Sequence, residues 1–287
     1  MLTHISRREA LATIAACVAV PAFADSRTEP LVLIVMDPLA AALSCPCVNG
    51  YGQRDYEKLG AALSKDLGRP VKVHFAKTLT DALKKQTEGK ADLIIGKESV
   101  LRAETKANKI PAKPIAALTG KDGKTTMTGL FVVAFAEKAL TPVDLKEYRI
   151  VFGPASCDEK YKAAHAVLKD AGILIPDKAE TCGTCTEGAV AVIEAHKAGM
   201  PMATVISSYA LPLLEGCGTI KKGDLRVVGE TAEVPFIVAF ASDALPADER
   251  EAIQKSLLNV GKNKSLCTAI ETKAGFVLPT AEDGKKK

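Results

Sequence analysis

Five cysteines of the chain stand at positions that suggest ligand chemistry. Cys45 and Cys47 flank a single proline, Cys157 stands alone, and Cys182 and Cys185 are separated by two residues. Thiolates prefer thiophilic species such as Cu(I), Zn(II), iron–sulfur clusters and metalloids like arsenite. The five cysteines therefore predict a site for a metal, a metalloid or a cluster.

The residues around two of these cysteines predict that each begins a helix. Ser156 and Glu159 have the spacing of a capping box with Cys157 as the first helical residue, and the same spacing recurs around Cys185. The partial positive charge of a helix N-terminus stabilises a thiolate. Both cysteines are therefore candidate soft ligands.

The amino terminus predicts an exported protein. Arg7 and Arg8 precede the apolar run 11–20, which ends in an Ala-Phe-Ala cleavage site, so residues 1–24 are predicted to be a signal peptide that resembles the twin-arginine type. The predicted compartment is the periplasm. Lipoprotein anchoring at Cys17 is the alternative. No later segment approaches the roughly 18 consecutive apolar residues of a membrane span, so no transmembrane segment is expected in the mature chain.

An oxidising compartment leaves other uses open for the cysteines. They can form structural disulfides, and the spacing of Cys182 and Cys185 resembles the dithiol of a thiol-disulfide oxidoreductase. A metal or cluster redox protein on the same scaffold is a third alternative. Covalent haem is disfavoured because Thr186 follows Cys185 where histidine is needed. Cys217 is a possible further ligand, and Cys267 is expected to be structural.

Composition excludes several classes of function. The formal net charge is +4 and aromatic residues make up 5% of the chain, so neither a phosphate-tracking groove nor a base-stacking platform for nucleic acid is predicted. The sequence contains no Gly-x-Ser-x-Gly, glycine-rich phosphate loop or zinc-protease motif. We therefore expect a protein that is not an enzyme.

The periodicity of apolar residues predicts two α/β units. In the first, the order is strand 31–36, helix 54–67, strand 71–75, helix 79–88 and strand 91–96. The second starts with strand 149–153 and continues with helix 158–171, helix 188–198 and strand 202–206.

Two similar segments are predicted to connect the units. Segments 129–136 and 234–241 are both apolar and both end in Val-Ala-Phe-Ala, as expected of two strands that cross between lobes. The predicted division is residues 25–133 plus 236–287 for the first lobe and residues 134–235 for the second.

Several phrases in this order resemble a known family. Segments 56–71, 89–96, 144–152 and 153–156, within a match over about 31–260, are similar to type II periplasmic solute-binding proteins, specifically the phosphonate-binding-like family of ABC importers. The resemblance implies an α/β, two-lobed periplasmic-binding-protein-like fold with two crossover strands.

The resemblance also implies a ligand held between the lobes by strand ends and helix N-termini. It makes Ser99, Thr126, Thr128 and Ser156 candidate ligand-binding residues. The sequence departs from the phosphonate binders where Cys157 follows Ser156, since those proteins have serines and threonines on this loop.

The resulting hypothesis is an exported solute-binding protein that serves an ABC importer permease or a membrane sensor. The predicted ligand is a thiophilic metal, metalloid or iron–sulfur species at the five cysteines. The alternative is an oxyanion of phosphate or phosphonate type, with the cysteines in structural disulfides. No other cofactor is predicted.

Overall fold

The computed structural model describes residues 29–44 and 52–279. The predicted signal peptide with Cys17, and the predicted ligands Cys45 and Cys47, lie outside the described residues. The described part forms two α/β lobes, each built on its own sheet.

The first lobe contains a six-stranded sheet. Its strands are β1 (Leu31–Met36), β2 (Val71–Phe75), β3 (Leu93–Lys97), β4 (Ala112–Leu118), β11 (Ile237–Ser242) and β12 (Phe276–Val277). Their order in the sheet is β12-β4-β11-β3-β1-β2. Strand β1 is parallel to β2 and β3, whereas β11 is antiparallel to β3 and β4.

Helices cover both faces of this sheet. They are α1 (Tyr56–Leu67), α2 (Leu79–Lys85), α3 (Glu98–Ala107), α7 (Ala247–Asn259) and α8 (Lys264–Ala269). All six residues of β1 are buried, with one apolar cluster on each face of the sheet. The prediction of a strand buried on both faces is confirmed, and each such leucine or isoleucine contributes about 1.5–3 kcal/mol.

Helix α1 begins two residues later than its periodicity predicted. Asp55 is the N-cap, and its carboxylate accepts a hydrogen bond from the Lys58 amide at 3.0 Å. The helix ends at Gly68, whose φ of 64° is left-handed and suits glycine. Arg54 therefore precedes the helix and belongs to the loop that follows β1.

The second lobe contains a four-stranded sheet. Its strands are β6 (Gly129–Ala134), β7 (Arg149–Val151), β8 (Met202–Ser207) and β9 (Leu225–Glu230). Their order is β7-β8-β6-β9, with β7 parallel to β8 and β6 antiparallel to both of its neighbours. The helices are α4 (Lys162–Asp170), α5 (Cys185–Lys197), α6 (Ala210–Gly216) and the 3₁₀ helix Pro142–Glu147.

A short two-stranded ribbon lies where the chain passes between the lobes. Strand β5 (Thr126–Met127) pairs antiparallel with β10 (Val234–Pro235). The two longer segments that were predicted to cross between the lobes each form a strand of a single sheet. Strand β6 belongs wholly to the second sheet and β11 wholly to the first. We therefore propose a lobe division near residue 128 in place of 133, and keep the second division at 235/236.

Within the described residues, no helix has both the length and the apolar character needed to cross a membrane.

Candidate ligand site between the lobes

A cavity of about 330 Å³ lies where the two lobes and the ribbon meet. The first lobe contributes Leu39, Arg54, Phe236, Glu271 and the loop 120–124, the ribbon contributes Thr126 and Met127, and the second lobe contributes Ser208 and Tyr209. Its volume lies at the lower end of the range of small-molecule sites. The position matches the rule that ligands of open α/β sheets bind beyond the carboxyl ends of the strands.

A buried arginine forms one wall of the cavity. Arg54 has a side chain only 4% exposed, and its Nη1 donates to Asp37 Oδ2 at 2.8 Å. The same carboxylate oxygen accepts from the Tyr56 hydroxyl at 2.5 Å, while Asp37 Oδ1 accepts from the Leu39 amide at 2.8 Å. Asp37 directly follows β1, so the end of that strand fixes the guanidinium in place.

The Arg54 guanidinium keeps donor capacity beyond this pair. Burial is the largest single effect and opposes its charge, but Asp37, Tyr56 and Glu271 together outweigh burial and raise the pKa of Arg54, so the group stays cationic. Its Nε is buried and has no hydrogen-bond partner within the described residues. The guanidinium carbon also lies 5.6 Å from the centre of the Phe236 ring. A cation with an unused donor therefore borders the cavity.

Charged residues of both signs line another side of the cavity. Lys121 Nζ lies 2.9 Å from Glu271 Oε1, and Lys124 Nζ lies 2.6 Å from Glu233 Oε1. The lining of the cavity contains three cationic side chains and two carboxylates. They are Arg54, Lys121 and Lys124, and Asp122 and Glu271. Asp37 and Glu233 pair with Arg54 and Lys124 from outside the lining, so an anionic solute would bind through the donors that these pairs leave unused.

Aromatic rings supply an apolar surface from both lobes. Tyr209 of the second lobe stacks on Phe236 of the first, with ring centroids 5.3 Å apart and planes 20° apart. Burial raises the pKa of the Tyr209 phenol, so its hydroxyl stays protonated at neutral pH. A solute with an apolar group beside its charge would match this combination of walls.

A second contact between the lobes is an ion pair outside the cavity lining. Lys97, the last residue of β3, pairs through Nζ with Glu159 Oε1 of the loop after β7. The Ser207 hydroxyl at the end of β8 donates to the same oxygen at 2.7 Å. Burial alone would raise the pKa of the Glu159 carboxyl, but Lys97 and Ser207 together hold it below its ordinary value.

Two further contacts connect the same loop to α3. The Asp158 amide donates to Ser99 Oγ at 3.3 Å, and Arg102 Nη2 lies 2.7 Å from Asp158 Oδ2. The predicted ligand residue Ser99 therefore takes part in the contact between the lobes and does not line the cavity.

The other predicted ligand residues have separate surroundings. Thr126 lines the cavity, although its hydroxyl donates to Glu233 Oε2 at 2.6 Å. The Thr128 hydroxyl donates to Glu230 Oε1 at 2.5 Å. Ser156 is half-buried in a turn beyond β7. Of the four candidates, Thr126 alone belongs to the cavity lining.

The capping box predicted at Ser156 and Glu159 is wrong. Helix α4 begins only at Lys162, and its N-cap is Tyr161 without a side-chain cap. Glu159 instead reaches Lys97 in the other lobe. Cys157 is buried in the preceding turn and does not begin a helix.

The helix start predicted at Cys185 is confirmed. Thr184 is the N-cap of α5 and accepts from the Glu187 amide at 3.1 Å, so Cys185 is the first helical residue. The Glu187 carboxylate accepts from the Gly183 amide at 2.8 Å, one residue earlier than in a standard box.

The thiols of the CxxC pair lie in the second lobe close to the ion pair. Cys185 Sγ accepts from the Ser207 amide at 3.4 Å and lies 3.7 Å from Lys160 Nζ. Burial raises the pKa of the Cys182 thiol, an effect that Lys160 only partly offsets. Cys182 is therefore held as a thiol, which is a poorer ligand than a thiolate.

The described residues do not assemble the metal site that was predicted at the five cysteines. Cys157, Cys182, Cys185, Cys217 and Cys267 are all free thiols. Across residues 29–44 and 52–279, no three or more His, Cys, Asp or Glu side chains are grouped so that they could hold a metal ion. The two further cysteines of the prediction, at 45 and 47, lie outside these ranges.

Sequence reasoning missed the residues that dominate both contact regions. The periodicity of the sequence predicts that Arg54 begins a helix, and the local spacing predicts that Glu159 belongs to a capping box. A signal for each was present, since Asp37 directly follows an apolar strand and Lys97 directly ends another.

The fold and the cavity define a two-lobed solute-binding protein. Residues 52–283 match the family model described as the periplasmic substrate-binding protein of phosphonate ABC transporters. The chain belongs to this family of periplasmic importer components, which bind solutes and do not catalyse reactions. No curated protein matches the chain.

Solved structures share the fold at low sequence identity. A binding protein of an ABC phosphonate transporter from Pseudomonas aeruginosa is 14% identical, with a TM-score of 0.65, over 89% of this chain and 83% of that one. PhnD1 from Prochlorococcus marinus in complex with methylphosphonate is 16% identical, with a TM-score of 0.63, over 88% and 93%. XAC2383 from Xanthomonas citri bound to ATP is 16% identical, also at 0.63, over 89% and 93%.

Proposed function

We propose that the protein captures a small organic anion in the cavity between its lobes and presents it to the permease of an ABC importer. The observation that carries this proposal is the buried cation Arg54, which lines the cavity between the lobes and whose Nε has no hydrogen-bond partner in the described part of the chain. A guanidinium suits the oxygens of phosphonate, sulfonate or carboxylate groups because its donors form a planar fork.

The apolar residues that line the rest of the cavity suit an anion with an alkyl substituent. Leu39, Met127, Tyr209 and Phe236 give the cavity apolar surface, and apolar surface favours groups that leave water. An alkylphosphonate is therefore expected to bind more tightly than inorganic phosphate. The family match and the methylphosphonate complex of the Prochlorococcus neighbour make methylphosphonate the first ligand to test.

Titration calorimetry on the purified protein tests this proposal. We expect heat of binding with methylphosphonate, and Arg54→Lys to weaken its affinity at least about tenfold because the planar fork is lost while the charge is kept. Lys124→Met is expected to weaken the affinity less, since Lys124 is paired with Glu233 and largely exposed.

Lys113→Met is the matched control. Lys113 is also an exposed, paired lysine of the first lobe, but it lies outside the cavity lining. Equal affinities of the Lys113 and Arg54 variants would contradict the assignment of the cavity. So would the absence of binding to alkylphosphonates, alkylsulfonates and short carboxylates alike.

A thiophilic ligand is our second proposal, supported by the two free thiols of Cys182 and Cys185 in one loop–helix segment. Oxygen-free titration with Cu(I) or arsenite tests it, with Cys217→Ser as control for a half-exposed free thiol. If the Cys182→Ser/Cys185→Ser variant binds as tightly as the wild type, this pair is not the site.

A further inference from the structure

The ion pair between Lys97 and Glu159 is almost completely buried although it joins two lobes. The Lys97 side chain is 8% exposed and the Glu159 side chain 1%. Lys97 ends a strand of the first lobe, whereas Glu159 lies in a loop of the second. Closing the lobes therefore removes both charges from water together.

The fold holds Glu159 at this position from two sides. The Ser207 hydroxyl fixes Oε1. On the other side, Gly129 packs closely against the Glu159 backbone. A Cβ added to Gly129 would lie 2.1 Å from the Glu159 carbonyl oxygen. The second carboxylate oxygen, Oε2, is buried and has no hydrogen-bond partner in the described part of the chain.

A buried ammonium requires a compensating anion, because an unpaired charge in a protein interior costs several kcal/mol. At a boundary between two lobes, that anion can come from a bound solute or from the chain itself. Here it comes from Glu159. Burial opposes the charge of Lys97, but Glu159 is foremost among the groups that raise its pKa, so Lys97 stays charged.

We propose that Glu159 is a specificity-determining residue, whose carboxylate occupies the anion position at Lys97 and thereby excludes oxyanions from it. The inference goes beyond the proposed function and does not depend on it, because it concerns a different cation and a contact outside the cavity lining.

The direct test is to remove the internal anion and supply an external one. In Glu159→Ala, Lys97 and the Ser207 hydroxyl face vacated space. We expect this variant to bind inorganic phosphate at least about tenfold more tightly than the wild type, given the cost of leaving Lys97 unpaired. Small-angle scattering should show a larger radius of gyration without phosphate and a return towards the wild-type value with it.

Three controls separate this role from a general loss of structure. Glu159→Gln keeps the shape but removes the charge, so we expect open lobes and no gain of phosphate binding. Glu180→Ala removes an exposed glutamate of the same lobe, paired with Arg149, and should behave as the wild type. Adding Lys97→Met to Glu159→Ala should abolish the gained phosphate site.

The proposal is overturned if Glu159→Ala binds phosphate no better than the wild type, or if its gain persists without Lys97. If Glu159→Ala fails to fold, Glu159→Gln decides: a radius of gyration equal to that of the wild type shows that Lys97 needs no anion. Methylphosphonate binding that is lost in Arg54→Lys reports on the cavity alone, so failure of either proposal is recognised separately.

Discussion

Arg54, which is held against the residue after β1, and Lys97, the last residue of the neighbouring strand β3, are two buried cations that are neutralised in different ways. Arg54 pairs with Asp37 of its own lobe and lines an open cavity. Lys97 pairs with Glu159 of the opposite lobe, and neither residue belongs to the lining of that cavity. The effect of each ion pair therefore depends on which lobe supplies the carboxylate. A pair within one lobe fixes a cation in the wall of the cavity, whereas a pair between the lobes joins them.

The largest effect should come from breaking the pair within the first lobe. Asp37→Ala leaves Arg54 buried without its carboxylate, so we expect the free energy of unfolding to fall by about 3–5 kcal/mol in urea titrations. Glu180→Ala removes one member of an exposed pair and should cost about 0–1 kcal/mol. Similar losses in the two variants would show that Arg54 is not held as described.

Acid should break the pair across the boundary. The pKa of the Glu159 carboxyl is lowered by Lys97, so the pair favours closure fully above the ordinary glutamate pKa of about 4.3. That contribution declines as the pH falls below this value and is lost below the lowered pKa. Scattering between pH 7 and pH 3 should show the radius of gyration rising on acidification.

Glu159→Gln provides the reference for this pH dependence. It has no carboxyl at this position, so its radius of gyration should be larger at pH 7 and change less on acidification. An identical pH profile in the variant and the wild type would assign the transition to other carboxylates.

A smaller effect is expected from bulk beneath the Glu159 loop. In Gly129→Ala, the new Cβ would meet the Glu159 carbonyl oxygen at 2.1 Å, which should cost about 1–3 kcal/mol through displaced backbone. In Gly183→Ala, the nearest atom is the flexible Glu187 carboxylate at 3.1 Å, so thermal unfolding should change little. Equal shifts in the two variants would indicate that Gly129 is not tightly packed.

The smallest effect should follow loss of the Ser207 hydroxyl. Ser207→Ala removes one hydrogen bond to Glu159, worth about 0.5–1.5 kcal/mol. Because this bond helps to lower the pKa of Glu159, the acid transition should move to higher pH. Ser64→Ala removes a hydroxyl that donates to the Arg69 carbonyl in the first lobe and should leave the transition in place.

Most of the fold was predictable because local pattern determines it. The apolar run at β1 and the spacing of Tyr56, Leu59 and Leu63 on α1 correspond to buried faces. The crossing point that we propose differs from the predicted one by a few residues. The apolar run 129–136 marks a buried strand, but only pairing with β8 and β9 shows which sheet contains it.

The site was less predictable because its contacts are distant in sequence. Glu159 fits a local capping box, yet its partner Lys97 is 62 residues away and tertiary pairing prevails. The predicted cysteine ligands follow strands in sequence, as expected of residues that bind a ligand beyond the carboxyl ends of strands. Sequence order alone does not reveal that Cys182 and Cys185 pack against the core of the second lobe.

The position of β11 in its sheet has a consequence for the order in which the protein can be assembled. This strand inserts between β3 and β4, but the ribosome makes it only after the whole of β6 to β9. The second lobe is continuous in sequence and can form first. The first lobe must keep the apolar edges of β3 and β4 unpaired until residue 242 has been synthesised. Pairing over such sequence separations is slow, so we expect completion of this sheet to limit the rate of folding and to be the period of greatest exposure to aggregation.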